Sequence, residues 1–379
     1  MIPPGATLGV LGGGQLGRMF TMRAHEMGYR VVVLEPDADS PAGAVADRHL
    51  RAAYDDPEAL EVLATECAAV TVEFENVPAG ALQRLARRVP VRPSAEAVAI
   101  AQDRIREKTF LRDNGFATAR FAAISRTDEL EPALAEVGSP ALLKTSRLGY
   151  DGKGQATIGS LEDLRAAFAG FGGVPCVLEQ RLELEGEISI VLVRAVDGAV
   201  VPFPAGENTH RDGILDTTVV PARIGQALAT EAARVAGAVA TKLGYVGVLG
   251  VELFVARRGR LFVNEIAPRP HNTGHYTLDA CVTDQFEQQV RALCELPLGT
   301  PVLHSPVAMI NLLGDAWAKG PPRWDRALAL PGVKLHLYGK AEPRPGRKMG
   351  HLNCLAATAD DALALARRAH AALLDHHSP

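Results

Sequence analysis

Near the N-terminus an apolar run, Thr7–Leu11, is followed by Gly12-Gly-Gly14-Gln15-Leu16-Gly17, a helical pattern through Met27, and a second apolar run, Arg30-Val-Val-Val-Leu34. Two short strands joined by a helix-length connection suit a parallel pair, because parallel neighbours need such a crossover. The chain therefore begins as a βαβ unit. Further apolar runs at Ala69–Val72 and Val89–Val91, separated by Ala/Leu-rich segments at 57–66 and 78–88, extend the alternation into a parallel α/β sheet. This first domain is expected to span 1–107.

A chain of 379 residues exceeds what one hydrophobic core organises, so more domains follow. From Ile105 the texture changes to a helix through Arg112, a stop at Asn114-Gly115, and strands at Phe121–Ile124 and Ala141–Thr145. After a glycine-dense loop come strands around 156–158, 174–180 and 187–194, a polar excursion at 205–216 and an Ala-rich helix at 226–243. Strands at 248–255 and 260–264 then lead into Pro268-Arg-Pro-His-Asn-Thr-Gly-His275. This α+β region is expected to span 108–295. The remainder, 296–379, reads as a small mixed domain with strands at 308–313 and 334–338 and a C-terminal helix from Ala359.

Forty basic residues against 44 acidic ones give no chain-wide positive field, which argues against a nucleic-acid or membrane partner. An anionic ligand must be met locally. Five scattered cysteines, without a CxxC pair, fit reduced buried thiols in a cytoplasmic protein. The opening residues carry no basic, signal-like region, and no apolar run has membrane-spanning length.

The first glycine loop satisfies GxGxxG, and Glu35 ends the next strand, as in dinucleotide sites. Locally the loop says only that glycines permit a tight turn and that a helix N-terminus offers amides to some anion. A richer set of residues lies further on. Ala141-Leu-Leu-Lys144 is an apolar strand ending in lysine, and Gly149-Tyr150-Asp151-Gly152-Lys153-Gly154-Gln155 follows as a hinged loop able to close over phosphates. The loop is not a Walker motif. Glu179-Gln180-Arg181-Leu182 leaves a strand where backbone groups can meet an adenine edge, although an acidic surface loop is the plainer alternative. On two later strands, Glu252 and Asn264-Glu265 place carboxylates in apolar surroundings. Buried carboxylates need a counter-charge, and Mg2+ beside a nucleotide or a buried salt bridge supplies one equally well.

Together these motifs resemble the ATP-grasp superfamily. Within it, Gly12–Met19, the Tyr150–Gln155 loop, His271-Asn-Thr-Gly-His275 and Arg344-Pro-Gly-Arg-Lys-Met-Gly-His351 look like the N5-carboxyaminoimidazole ribonucleotide synthetases. The resemblance implies an N-terminal pre-ATP-grasp domain, a central ATP-grasp domain and a C-terminal domain. It implies an ATP site at Arg104, Lys144, Gly149 to Gln155, Glu179 to Leu182, Glu187, His210, Asn264 and Glu265, with Mg2+ on Glu252 and Glu265. Substrate contacts are implied at Gln15, Leu16, Glu73, Arg269, His271, Asn272, Lys340, Arg347 and Lys348, and catalytic positions at Tyr150, Asp151, Lys153 and His271. The implied reaction is ATP-dependent carboxylation of aminoimidazole ribonucleotide with bicarbonate through carboxyphosphate, in a homodimer. Two departures stand out: Leu148, where the family often has glycine, and Lys153, where arginine is common. The rivals are a formate-dependent glycinamide ribonucleotide transformylase, which resembles this region but has aspartate at the position of Asn272, an NAD-dependent oxidoreductase, and a non-catalytic nucleotide-binding module.

Overall fold

The computed structural model describes residues 1–149 and 153–375. Its first sheet contains β1 (Thr7–Leu11), β2 (Arg30–Leu34), β3 (Arg48–Leu50) and β4 (Ala69–Val72), all parallel, in the order β3-β2-β1-β4. Their nearly unbroken apolar sequence fits burial on both faces. The strand expected at 89–91 does not form. Val70 donates to Pro90 O and accepts from Arg92 N, and the contact ends as an isolated bridge, because Pro90 has no N–H to continue the ladder.

A second, antiparallel sheet contains β5 (Phe121–Ile124), β6 (Ala141–Thr145), β7 (Gln155–Ile158) and β8 (Cys176–Gln180), in the order β5-β8-β6-β7. Helices Leu130–Val137 and Leu161–Gly170 cover it with Leu130, Ala133, Leu164 and Phe168.

The third sheet is larger. It contains β9 (Leu184–Arg194), β10 (Val200–Pro202), β11 (Gly206–Arg211), β12 (Ile214–Val220), β13 (Gly247–Ala256), β14 (Arg260–Ala267), β15 (Val307–Leu313), β16 (Val333–Leu337) and β17 (Lys348–Leu355). The order is β14-β13-β9-β11-β12-β15-β17-β16, with β10 on β9. Helix Gln226–Lys242 packs Ala232, Ala236, Val239 and Ala240 against its central strands. Helix Ala359–Leu374, N-capped by the Thr358 hydroxyl on Asp361 N, covers Leu352 and Cys354 of β17. Because β12 pairs with β15, the sheet runs across the expected 295/296 boundary.

Two sequence expectations change here. The polar excursion at 205–216 is the β11–β12 hairpin, closed by Asp212-Gly213 with φ of 51° and 78°. Positive φ at both turn residues is the two-residue hairpin geometry that Asp-Gly favours. The turn region around Arg344–His351 also continues into a strand, since β17 begins at Lys348. All five cysteines are free and buried, and no described helix is long and apolar enough to cross a membrane.

Candidate active site

The GxGxxG loop meets an anion, and the anion is the protein's own. Gly13 N donates to Glu35 Oε2 at 2.8 Å, while Gly14 N and Gly17 N donate to the two Glu73 oxygens at 3.0 and 3.2 Å. A Cβ on Gly12 would stand 2.4 Å from Glu73 Cγ, and one on Gly13 would stand 2.1 Å from Ser40 Oγ. The glycines therefore admit internal carboxylates where a dinucleotide fold would seat a pyrophosphate. Tyr54 donates its hydroxyl to Glu35 Oε2, which closes the cap from outside.

Beside this loop opens a cavity of about 1490 Å3 between the N-terminal sheet, the second sheet and the large sheet. The structure brings every sequence-predicted site residue that it describes to its wall. Gln15, Leu16 and Glu73 come from the glycine-loop side, and Arg104 from helix Arg104–Asp113. Lys144, Gly149, Lys153, Gly154, Gln155, Glu179, Gln180, Arg181 and Leu182 come from the second sheet and its loops. Glu187, His210, Glu252, Asn264, Glu265, Arg269, His271 and Asn272 come from the large sheet and the segment after it, and Lys340, Arg347 and Lys348 from its far strands. Tyr150, Asp151 and Gly152 lie outside the described residues.

The two glutamates share one rung, for Glu252 of β13 pairs with Glu265 of β14. The register then slips, so that Leu253 faces Val263 and Asn264 is the extra residue of a bulge. A bulge lets consecutive side chains turn to one face, and Asn264 and Glu265 both reach the cavity. Their surroundings differ. Glu265 accepts from Arg104 Nη1 at 2.8 Å; burial alone would raise its carboxyl, but Arg104, helped by Lys144, holds it well below the usual range. Glu252 has His271 Nε2 at 3.3 Å, and burial together with the Glu265 charge pushes its carboxyl up. Burial, then the nearby Arg269, drives the His271 ring down to about 3, so the ring is neutral. The rung thus carries an arginine on one carboxylate and, beside it, a second carboxyl raised by burial and by its neighbour.

Lys144 Nζ lies 3.1 Å from Glu179 Oε2, which Lys108 Nζ also approaches at 3.5 Å while donating to Asn264 O at 2.7 Å. His210 Nδ1 stands 2.8 Å from Glu187 Oε2. Arg269 is held by Glu75. On the far side, Lys340 Nζ donates to Lys348 O at 2.8 Å and Arg347 Nη1 to Glu342 O at 3.0 Å. Asn272 is buried, yet its Nδ2 and Oδ1 have no hydrogen-bond partner among the described residues. An unpaired buried amide facing a cavity is costly unless a ligand completes it.

Sequence reasoning missed Lys108, Glu107 and Glu75. Lys108 is four residues from Arg104 on the same helix, a spacing that shares one face and could have identified it. Glu107 accepts from Ile266 N behind the glutamate rung, and burial followed by the Glu265 charge raises it to about 8. Leu148, the departure where glycine is usual, has φ of 62°, the left-handed region that favours glycine.

Three family models follow one another along the chain, the second taking in the second sheet and β9–β14 of the third, and the last β15–β17. A ribonucleotide synthetase preATP-grasp domain matches residues 5–102, an ATP-grasp domain 109–286, and a phosphoribosylaminoimidazole carboxylase C-terminal domain 307–365. The N5-carboxyaminoimidazole ribonucleotide synthase of Brucella melitensis is 46% identical over 353 residues, covering 93% of this chain and 96% of that one. Its counterpart in Bacillus subtilis is 42% identical, covering 95% and 94%. Among solved structures, the ADP complex of an N5-carboxyaminoimidazole ribonucleotide synthetase superposes with a TM-score of 0.92 at 41% identity, covering 98% of this chain and 97% of that one. The Aspergillus clavatus enzyme in complex with ADP and 5-aminoimidazole ribonucleotide gives 0.89 at 31% identity, covering 97% and 98%. With the glycine-loop amides taken by internal carboxylates and one cavity lined by all three matched regions, these likenesses converge: the chain belongs to the N5-carboxyaminoimidazole ribonucleotide synthase family.

Proposed function

We propose that this chain uses ATP and bicarbonate to carboxylate the exocyclic amine of 5-aminoimidazole ribonucleotide, releasing ADP and phosphate, in purine biosynthesis. The observation that carries the reading is the single cavity in which the glutamate rung, the lysines of the second sheet and the cationic Lys340–Lys348 turn share one wall. A nucleotide triphosphate and a ribonucleotide phosphate each need fixed cations, and the cavity offers two separate sets.

In this reading Lys144 and Lys153 bind ATP phosphates, and Glu187 with His210 meets the ribose. Gly149, Gly154 and Gln155 flank the triphosphate, and Glu179 to Leu182 frame the adenine. The acidic rung fits Mg2+, which takes one or two carboxylates plus phosphate oxygens, since the raised Glu252 carboxyl marks a place where a cation stabilises the ionised pair. Glu252 and Glu265 would hold the ion, which neutralises charge during phosphoryl transfer. Arg104 orients Glu265, and Lys108 fixes the Asn264 carbonyl. Bicarbonate becomes carboxyphosphate, and the amine attacks it or the CO2 it releases. The neutral His271 ring, with Asn272, orients the base and its amine, while Arg269, Lys340, Arg347 and Lys348 meet the ribonucleotide. Gln15, Leu16 and Glu73 close that end. Tyr150, Asp151 and Lys153 are the further catalytic candidates in this reading, with Tyr150 and Asp151 outside the described residues. We further place the domains at 1–107, 108–295 and 296–379, in a cytoplasmic homodimer; the family-model bounds and the buried free thiols support this partition and compartment.

The test is ADP release with bicarbonate or formate crossed against aminoimidazole or glycinamide ribonucleotide, with and without Mg2+. Turnover should require bicarbonate, Mg2+ and aminoimidazole ribonucleotide. Formate-dependent turnover of glycinamide ribonucleotide would overturn the assignment.

A further inference from the structure

The histidines of the 271–275 and 344–351 motifs are only half used by the site above. His271 lines the cavity, but His275 and His351 are fully buried behind it. His351 lies in the middle of a three-ring stack. Its centroid is 4.8 Å from His275 with 26° between planes, and 4.6 Å from His336 with 13° between planes.

Sheet register explains how the stack is built. His336 of β16 and Asn311 of β15 lie directly opposite His351 of β17, so the three side chains share one face. Leu352 and Cys354, on the other face, pack in the apolar layer under helix Ala359–Leu374. The His351 face meets the 271–281 segment instead. His275 supplies the third ring, and its carbonyl accepts from Asn353 Nδ2 at 3.0 Å. Asn353 also donates to Asp279 Oδ2 at 2.8 Å, which pairs with His336 Nε2 at 2.6 Å. Gln285 steadies the same segment, with Oε1 on His271 N and Nε2 on His271 O and near His275 Nδ1.

One end ring and the middle ring of this stack belong to the two segments that carry the halves of the proposed ribonucleotide site. His275 follows Asn272 by three residues, and His351 follows Lys348 by three. A plain apolar core would pack here at lower cost, since the Nε2 atoms of His275 and His351 are buried with no hydrogen-bond partner among the described residues. Rings do what aliphatic side chains cannot, because stacking fixes distance and tilt together. Burial, then the neighbouring histidines, holds both rings well below the ordinary histidine range, so they stack uncharged. Tyr338 Oη, 3.0 Å from His351 Nδ1, fixes the middle ring in its plane.

We propose that the His275–His351–His336 stack is a positioning device that sets the spacing between the Asn272 loop and the Lys348 strand, and so holds base and phosphate contacts at one span. The inference rests on the ribonucleotide reading of this cavity. None of the three rings touches substrate; they act through Asn272 and Lys348.

Steady-state kinetics of the full chain, with the ribonucleotide and ATP varied in turn, test it. His351→Ala is expected to raise the ribonucleotide KM roughly tenfold, the size of losing two ring contacts, with kcat and the ATP KM within about twofold. The double variant His351→Phe/Tyr338→Phe keeps a ring in the stack and removes both polar partners, so it should return the ribonucleotide KM to within about twofold of the parent. A folded His351→Ala enzyme with the parent KM overturns the inference, as does one in which all kinetic constants move together. Where His351→Ala fails to fold, His336→Ala, whose ring is part-exposed, carries the test with a rise of roughly threefold from one lost contact, and an unchanged KM overturns it. Arg347→Ala is the reference. If it raises the ribonucleotide KM while His351→Ala does not, the stack alone fails; if it leaves that KM unchanged, the cavity reading fails and the inference with it.

Discussion

Arg347→Ala tests the placement of the ribonucleotide phosphate with little interference from folding. Arg347 sits just before β17, part-exposed, and its guanidinium commits Nη1 to Glu342 O at 3.0 Å. A guanidinium has five donors in a fixed fork, so further donors are geometrically suited to a phosphate. Its backbone carbonyl accepts from Gly314 N at 2.8 Å and its N–H donates to Arg344 O at 3.0 Å; both contacts survive truncation. Loss of one exposed side-chain bond should therefore leave the melting temperature nearly unchanged. The cost falls on the substrate instead. A hydrogen bond to a charged group contributes about 1.5–3 kcal/mol, which is roughly 10- to 100-fold in the ribonucleotide KM. ATP binding, measured by calorimetry, should barely move, because the nucleotide cations Lys144 and Lys153 belong to the second sheet and its loop. Lys340→Ala should act in the same direction but more weakly, since an ammonium is less well pre-organised than the fork. A ribonucleotide KM within about twofold of the parent, well under the tenfold that 1.4 kcal/mol represents, would refute the C-terminal phosphate site.

Three further outcomes follow from the geometry. Glu265→Gln should abolish turnover while the fold persists; a destabilised variant with normal turnover per folded molecule would make the Arg104 pair purely structural. Arg223 fastens β11 to helix Ala359–Leu374 through Glu207 and Asp360, and its hydrogen bond to Glu207 lowers that carboxyl. A depressed carboxyl stabilises the fold above its ordinary range and ceases to as pH falls through the lowered value. Arg223→Gln should thus cost roughly 1 kcal/mol or less near neutrality, and the difference from the parent in thermal scans should vanish in acid; a pH-independent difference would sink this account. Leu148→Gly should be neutral or stabilising by up to about 1 kcal/mol, because relief of a left-handed residue outweighs the added chain entropy; a clear fall in melting temperature would contradict the strain.

What the sequence made legible divides along physical lines. Elements whose pattern is local were readable: the β1–β2 crossover, helix Gln226–Lys242, and the strands bearing Lys144 and Glu252. The β11–β12 hairpin was hidden because β11 is almost wholly polar, with His210 at the cavity, Asn208 buried against Thr218 and Glu207 paired with Arg223, so no apolar alternation marks it and only Asp212-Gly213 marked the turn. β17 was hidden for the same reason, since His351 and Asn353 are buried on a polar seam rather than in an apolar core. Cavity-lining residues were legible where motif and spacing carried them. Glu75 and Lys108 were missed because their roles depend on partners far along the chain, Arg269 and Asn264. The GxGxxG loop shows the limit most clearly: the pattern correctly announced amides awaiting an anion, but the anion, Glu73, lies 59 residues from Gly14 and is known only once β1 pairs with β4.

The glutamate rung shows why pairing alone does not define chemistry. Glu252 and Glu265 occupy matched positions on adjacent strands, yet one is held ionised by Arg104 and the other is pushed up by burial and by its neighbour. Two identical environments would make the pair a symmetric acid dyad. The asymmetry comes from Arg104 and Lys144, which face Glu265, while the bulge beside it turns Asn264 toward the cavity and Lys108 holds the Asn264 carbonyl from behind. Arg104 also donates to Gly149 O at 3.1 Å, at the near edge of the glycine loop. One guanidinium therefore touches both the rung and the loop proposed to close over ATP. In the proposed ATP reading a cation at the rung would compete with Arg104 for Glu265, and the Arg104 contact to Gly149 O is where that competition would be felt beyond the rung.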